Sequence, residues 1–410
     1  MFLIAGALFL IVSLGTIKQE AYKMANTITD LVPDLLEALD TVSHELTGMI
    51  PSVSSDMTFQ RAAVGQTVRS PVAPAAAAGD IAPGVTPPDD GNQVIGNKDM
   101  TIAKSRRVPI RWNGEQSLGI NNSGGVTRSR IMQDQFAQAM RTLTNEVESD
   151  LTALHVNASR AYGTVGTIPF TTAGDFTDAS FVAKILKDNG APLTGNRLVL
   201  NTTSSATMIG KQSRMDIAGQ DSILRQGVLL DTAGFSIRES AQIATAGTNV
   251  VTGVVTATGV EPIGETTINM TTAAGAGIIA VAGDIITFAG DTNKYVIAAP
   301  VTIGASTTGD VVIAEPGLLA ATAGAEAVTG YAATARNMAF SPSAIVLATR
   351  APALPEEGDL ATDRQIITDP RSGLSFEVSK YMQYRQVQYE IALAWGVKVV
   401  KDEHLALLIG

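Results

Sequence analysis

The most sustained hydrophobic pattern in the chain lies in TRSRIMQDQFAQAMRTLTNEVESDLTALHVNASRAYG. Met132, Phe136, Met140, Leu143, Val147, Leu151, Leu154 and Ala158 recur at spacings of 4, 4, 3, 4, 4, 3 and 4. That is one helical face. With Thr127 as cap and Gly163 as stop, the spacing predicts a helix over 127–162, roughly 50 Å long at about 1.5 Å per residue. Arg130, Asp134, Gln138, Arg141, Asn145, Glu148 and Thr152 fall on the opposite, polar side, and His155 falls on a flank without a partner. A one-faced helix of this length is a structural beam.

The C-terminal region shows the other period. Val387, Tyr389, Ile391, Leu393, Trp395, Val397 and Val399 alternate with Gln388, Glu390, Ala392, Ala394 and Lys398, which predicts a long strand with one buried face. Trp395-Gly396 predicts a bulge or bend within it. Nearer the start, Leu35, Leu39, Val42, Leu46 and Met49 form an apolar stripe, capped by Asp30 and ended by Gly48 and Pro51. This helix either docks on its own domain or forms an arm that docks on a neighbour. A shorter helix begins at Asp175, with Phe176, Phe181 and Ile185 inward, and closes at Asn189-Gly190. Arg197–Leu200 reads as a buried strand and Ser204–Lys211 as a helical turn. Two short strands follow, broken at Ala233-Gly234.

Two stretches lack these periods. From Gln66 to Gly114, strand-like runs at Thr67–Val72 and Thr101–Trp112 flank a Pro-, Gly- and Ala-rich tip that includes Asp89 and Asp90. The tip cannot bury a core of its own. Lys104, Arg106, Arg107 and Arg111 cluster on the second run; they form either a solvated face or a set of partners for acidic groups on an adjacent subunit. Between Ala246 and Ala335 the composition turns to Thr, Val, Ala and Gly, with Lys294 the single basic residue. Turn signals about every ten residues predict a small all-β unit inserted into a continuous α+β domain.

Composition narrows the function. Hydrophobic residues make up 45% of the 410 residues but aromatics only 5%, so the cores are aliphatic. A net charge of −10 gives no general attraction for nucleic acid. Cysteine is absent and only His44, His155 and His404 occur, which excludes thiolate chemistry and argues against a histidine-rich metal site. Gly210-Lys211 lacks the first glycine of a phosphate-binding loop, and GAGIIAVAGD misses the dinucleotide pattern. Asp89-Asp90 and Glu356-Glu357 read as solvated turn carboxylates. No catalytic, cofactor or metal site is expected, and the chain is not read as an enzyme. The apolar run Phe2–Gly15 is shorter than the roughly 20 residues of a spanning helix and has no basic residue before it. It is read as a dispensable extension, with the working chain starting at Met24 or Ala25.

The order of these elements, together with NRLVLNTTSSATM, AGFSIRESAQIA, NMAFSPSAIVLATRAP and YEIALAWGVKVVKDEHLALL, resembles the major capsid proteins of tailed phages of the Hong Kong 97 type. The β insertion before NMAFSPSAIVLA is similar to the podovirus branch typified by the coat protein of Salmonella phage P twenty-two. The resemblance implies an α+β capsid fold with an N-terminal arm, an extended hairpin (E-loop), a long spine helix, a peripheral domain and an axial domain. Its boundaries are an extension at 1–23, the arm at 24–65, the hairpin at 66–113 and the peripheral domain at 114–200. The axial core follows at 201–245, then the inserted β domain at 246–335 and the return to the core at 336–410. The resemblance also implies self-assembly into hexamers and pentamers in the host cytoplasm, scaffolding and portal proteins as partners, DNA enclosed without sequence-specific binding, and no membrane. Lys104, Arg106, Arg107, Arg111, Asp89, Asp90, Leu35, Leu39 and Leu46 are the candidate inter-subunit contacts. The alternative class is a secreted or surface-attached β-rich protein, an adhesin or surface-layer subunit.

Overall fold

A strand as long as Gln386–Val399 can serve several neighbours, and this one organises a six-stranded sheet. One edge of it pairs antiparallel with Lys104–Asn113; the other pairs first with Ser375–Gln383 and then with Ile345–Arg350. Ala361–Thr368 extends the sheet beyond Ser375–Gln383, and Ser54–Asp56 adds in parallel to Ile345–Arg350. The computed structural model describes residues 47–56, 61–72, 92–122, 128–171, 176–212, 231–243, 245–247, 251–252, 255–369 and 372–410, with isolated positions at 78, 80, 81, 83–85 and 229. The segment 1–46 with Leu35, Leu39 and Leu46, the caps Thr127 and Asp175, and the carboxylates Asp89 and Asp90 lie outside the described residues.

Along the long strand Tyr389, Ile391, Leu393, Trp395 and Val399 are buried, as their alternation predicts. Ala394 is buried too, because Ala62, Met100, Ile102 and Ala348 cover the other face. The bulge expected at Trp395-Gly396 is not there: the register with Ile345–Arg350 runs through both residues without a shift. A Cβ on Gly396 would lie 2.2 Å from the carbonyl oxygen of Thr101. The glycine serves close backbone approach, the other reason a strand carries one.

The beam helix, Arg128–Thr152, lays Met132, Phe136, Met140, Leu143, Val147 and Leu151 into the main core. The Phe136 ring meets that of Tyr389 edge-on at 5.5 Å. The helix stops short of 162. Ala153–Asn157 tightens into a 3-10 turn, and Arg160–Gly163 leaves as a strand parallel to Leu405–Ile409. Ala158 is buried in either conformation, so its apolar spacing continued the stripe without continuing the helix.

Arg160–Gly163 belongs to a second, nine-stranded sheet. Its order runs Val328–Gly330, Ile285–Phe288, Lys294–Val296, Arg160–Gly163, Leu405–Ile409, Thr334–Phe340, Asn196–Leu200, Phe235–Glu239, with Thr245–Ala246 paired beside Thr334–Phe340. Helix Thr177–Asp188 packs Val182, Ile185 and Leu186 against it. Phe181, expected inward, is 42% exposed and stacks on Tyr162 at 4.6 Å. Ala179, Val182, Ala183 and Leu186 occupy the core side, which rotates position 181 to the rim. The segment 246–335 contains two three-stranded sheets around a cluster that includes Ile268, Met270, Ile278, Phe288, Tyr295 and Ile313. It is also sewn into the body. Lys294 and Tyr295 pair with Ala161 and Arg160, and Ile285 and Val296 join the main core.

Candidate functional site

The basic strand Lys104–Asn113 runs antiparallel beside Gln386–Val399 and over the beam helix. Lys104 Nζ donates to Asp150 Oδ1 at 2.7 Å, Arg106 Nε lies 3.3 Å from Glu146 Oε2, and Arg107 donates to Glu390 Oε2 at 2.7 Å. Three of the four candidate contact residues therefore have ion-pair partners in their own chain. Their side chains remain 39%, 58% and 60% exposed, where such pairs contribute little. Arg111 is exposed and lines a groove of about 450 Å³ with Ile110, Ile131, Asp134, Gln135 and Gln138. Both tryptophans of the sheet donate their indole N–H to the beam helix, Trp112 to Gln135 at 2.9 Å and Trp395 to Asp150 at 2.8 Å.

A second constellation forms where the chain enters its body. Glu148, on the expected polar side of the helix, is 1% exposed. Its two oxygens accept the backbone N–H groups of Met49 at 2.7 Å and Ile50 at 3.0 Å. The Ser240 hydroxyl and the Gly48 N–H also interact with it. Burial raises its pKa above the usual carboxylate value, and these hydrogen bonds offset part of that shift. Thr152 is buried by the same neighbours and donates to the Gln242 carbonyl at 3.2 Å. Farther along the chain, Arg350 donates to the Asp56 carboxylate at 2.8 Å, and Arg61 lies 2.6 Å from Glu377. Segment 47–62 is thus tied at several points. No local sequence signal marks Glu148 or Asp150, because their partners lie at distant positions in the chain.

The hairpin stem is the antiparallel pair Thr67–Val72 and Gly96–Thr101. Lys398 donates to the Asp99 carbonyl at 2.7 Å and holds its base. Beyond the stem, Ile81 is 98% exposed and Val85, Val94 and Ile95 are exposed as well. Among the described residues no cluster could hold a metal ion, and no helix is long and apolar enough to cross a membrane. His155 accepts or donates at the Thr152 carbonyl at 3.0 Å, half-buried rather than on the surface.

No protein-family model matches the chain, and no curated protein matches it significantly. Solved structures do align with it. The capsid of the cyanophage P-SCSP1u is 10% identical at a TM-score of 0.46, covering 87% of this chain and 86% of that one. The capsid of a native GTA particle is 9% identical at 0.43, covering 89% and 90%. A virus-like particle from Pyrococcus furiosus is 11% identical at 0.39, covering 92% and 99%. The molecule is a mixed α+β protein whose structural neighbours are phage capsids and a virus-like particle.

Proposed function

We propose that this chain is a shell-forming structural protein: the major capsid subunit of a tailed phage of the Hong Kong 97 type, in its podovirus branch. It assembles as hexamers and pentamers around double-stranded DNA. One observation carries the reading. The paired hairpin stem bears exposed apolar side chains, Ile81, Val85, Val94 and Ile95, beyond the cover of their own core. Apolar exposure concentrated in one segment marks a surface for another macromolecule, and a shell supplies a second copy at every edge. In this reading Leu35, Leu39, Leu46, Asp89, Asp90 and the exposed Arg111 meet neighbouring subunits, while Lys104, Arg106 and Arg107 stiffen their own beam. The segment 246–335 is an inserted β domain. Scaffolding and portal proteins are the assembly partners, in the host cytoplasm. An acidic subunit suits a container for a polyanion, since it encloses DNA without gripping it.

Electron microscopy of the expressed protein tests the proposal. Uniform closed shells are the expected result. Monomers would overturn it, and flat sheets would favour a surface-layer subunit instead.

A further inference from the structure

Where the strand Lys294–Val296 joins Arg160–Gly163, a cleft of about 620 Å³ opens between the body and the segment 246–335. That volume lies within the usual range for binding sites. Thr164 and Thr167 line one side; Lys294, Thr329 and Tyr331 line the other. Lys294 is the single basic residue between Ala246 and Ala335. Its Nζ lies 5.5 Å from the centroid of the Tyr331 ring, and among the described residues it has no ion-pair partner.

The two acids of the cleft are engaged elsewhere. Asp178 Oδ2 accepts the N–H of Phe170 at 2.7 Å. Asp291 Oδ1 accepts the backbone and side-chain N–H of Asn293 at 2.9 and 2.7 Å, and Oδ2 accepts the Tyr295 hydroxyl at 2.5 Å. Burial alone moves the Lys294 ammonium below its ordinary pKa. A cation behaves so when it has lost water and gained no counter-charge. An aromatic face compensates only in part, at about 0.5–2 kcal/mol. The cleft therefore combines a partly desolvated ammonium with hydroxyl-bearing walls and no anion.

We infer that this cleft receives a carboxylate side chain from a second copy of the chain. The inference rests on the shell-forming reading above, which supplies that copy. A carboxylate matches the site in charge and size, accepting from the ammonium and from threonine hydroxyls at once. Phosphate backbone does not match, because the carboxylates of Asp178 and Asp291 stand at the same walls and repel a polyanion. The chain has the donor in excess, with 39 acidic residues against 29 basic ones.

Particles assembled from a mixture of light- and heavy-nitrogen subunits, treated with a zero-length carbodiimide and digested, test this by mass spectrometry. The expected product is a mixed-isotope peptide joining Lys294 to an Asp or Glu. The Lys104–Asp150 pair, at 2.7 Å, supplies the within-chain control. If closed particles form and the control product appears while Lys294 is joined to no other copy, the inference fails and the shell reading stands. If no closed particles form, both fall. In parallel, K294Q is expected to keep its circular dichroism and to raise the subunit concentration for half-maximal assembly about threefold or more, as loss of one interfacial charge pair does. An unchanged assembly concentration would overturn the role of Lys294.

Discussion

Glu148 shows how far a single residue can depart from its local pattern. By spacing it belongs with Arg141 and Asn145 on the polar side of the beam; by burial it belongs to the core. The reason is the segment Gly48–Ser52, which crosses the end of the helix and brings two backbone donors to the carboxylate. Removing the acceptor strands those donors in the interior, at about 1–3 kcal/mol each. E148A should therefore lose about 2–4 kcal/mol in urea denaturation, and E148Q less, since it keeps one oxygen. A loss under about 0.5 kcal/mol in E148A, the range of an ordinary surface substitution, would mean that the clamp contributes nothing. The pH dependence has a definite sign. Burial places the folded-state pKa above the unfolded one, so the folded chain binds this proton more tightly. The stability contribution of Glu148 is then largest below the ordinary carboxylate range and declines as pH rises through the raised pKa. The stability of wild type minus that of E148Q should fall over that window; a flat or rising difference would contradict the assignment.

Among the elements, the beam and the long strand depend on each other. Asp150 takes one hydrogen bond from Lys104 and one from Trp395, joining the helix to two adjacent strands. Gly396 lets the hairpin base pass directly over the strand, with room for no side chain. A methyl group at that position must push the Thr101 backbone away, and overpacking of this kind costs about 1–3 kcal/mol. G396A should lower the urea midpoint accordingly and speed amide exchange at Ile102, whose N–H bonds to the Gln66 carbonyl. Wild-type exchange at Ile102 in that variant would show that the strand bends to make space. The helix and strand were legible as elements because buried stripes repeat at fixed periods. Their ends were not, because pairing with a distant strand converts Arg160–Gly163 from the predicted helix into sheet.

Across the whole molecule, the hairpin is the part with least support from its own chain. Ordering a residue costs about 1–2 kcal/mol of conformational entropy, and the exposed Ile81, Val85, Val94 and Ile95 offset none of it within one subunit. In the proposed shell a neighbour covers them. Hydrogen exchange should therefore show segment 73–95 fast in the free subunit and protected in assembled particles. Equal protection in both states would remove the hairpin as an inter-subunit element. The stem itself, tied by the Lys398 bond to Asp99, should change less.

The sequence by itself determined what depends on near neighbours. The faces of the beam at Met132–Leu151, the alternation of Tyr389–Trp395, the stem strand Thr67–Val72 and the turn at Ala233-Gly234 all follow from spacing or from local backbone preference. The absence of cysteine and the scarcity of histidine could also be read directly. Only the tertiary structure decided which polar residues would be buried, which acid would meet each base, and that Lys294 would stand in a cleft beside Tyr331. Those outcomes depend on contacts between residues such as Glu148 and Met49, or Lys104 and Asp150, that lie far apart along the chain. Periodicity records which face of an element is buried; it carries no record of what arrives to bury it.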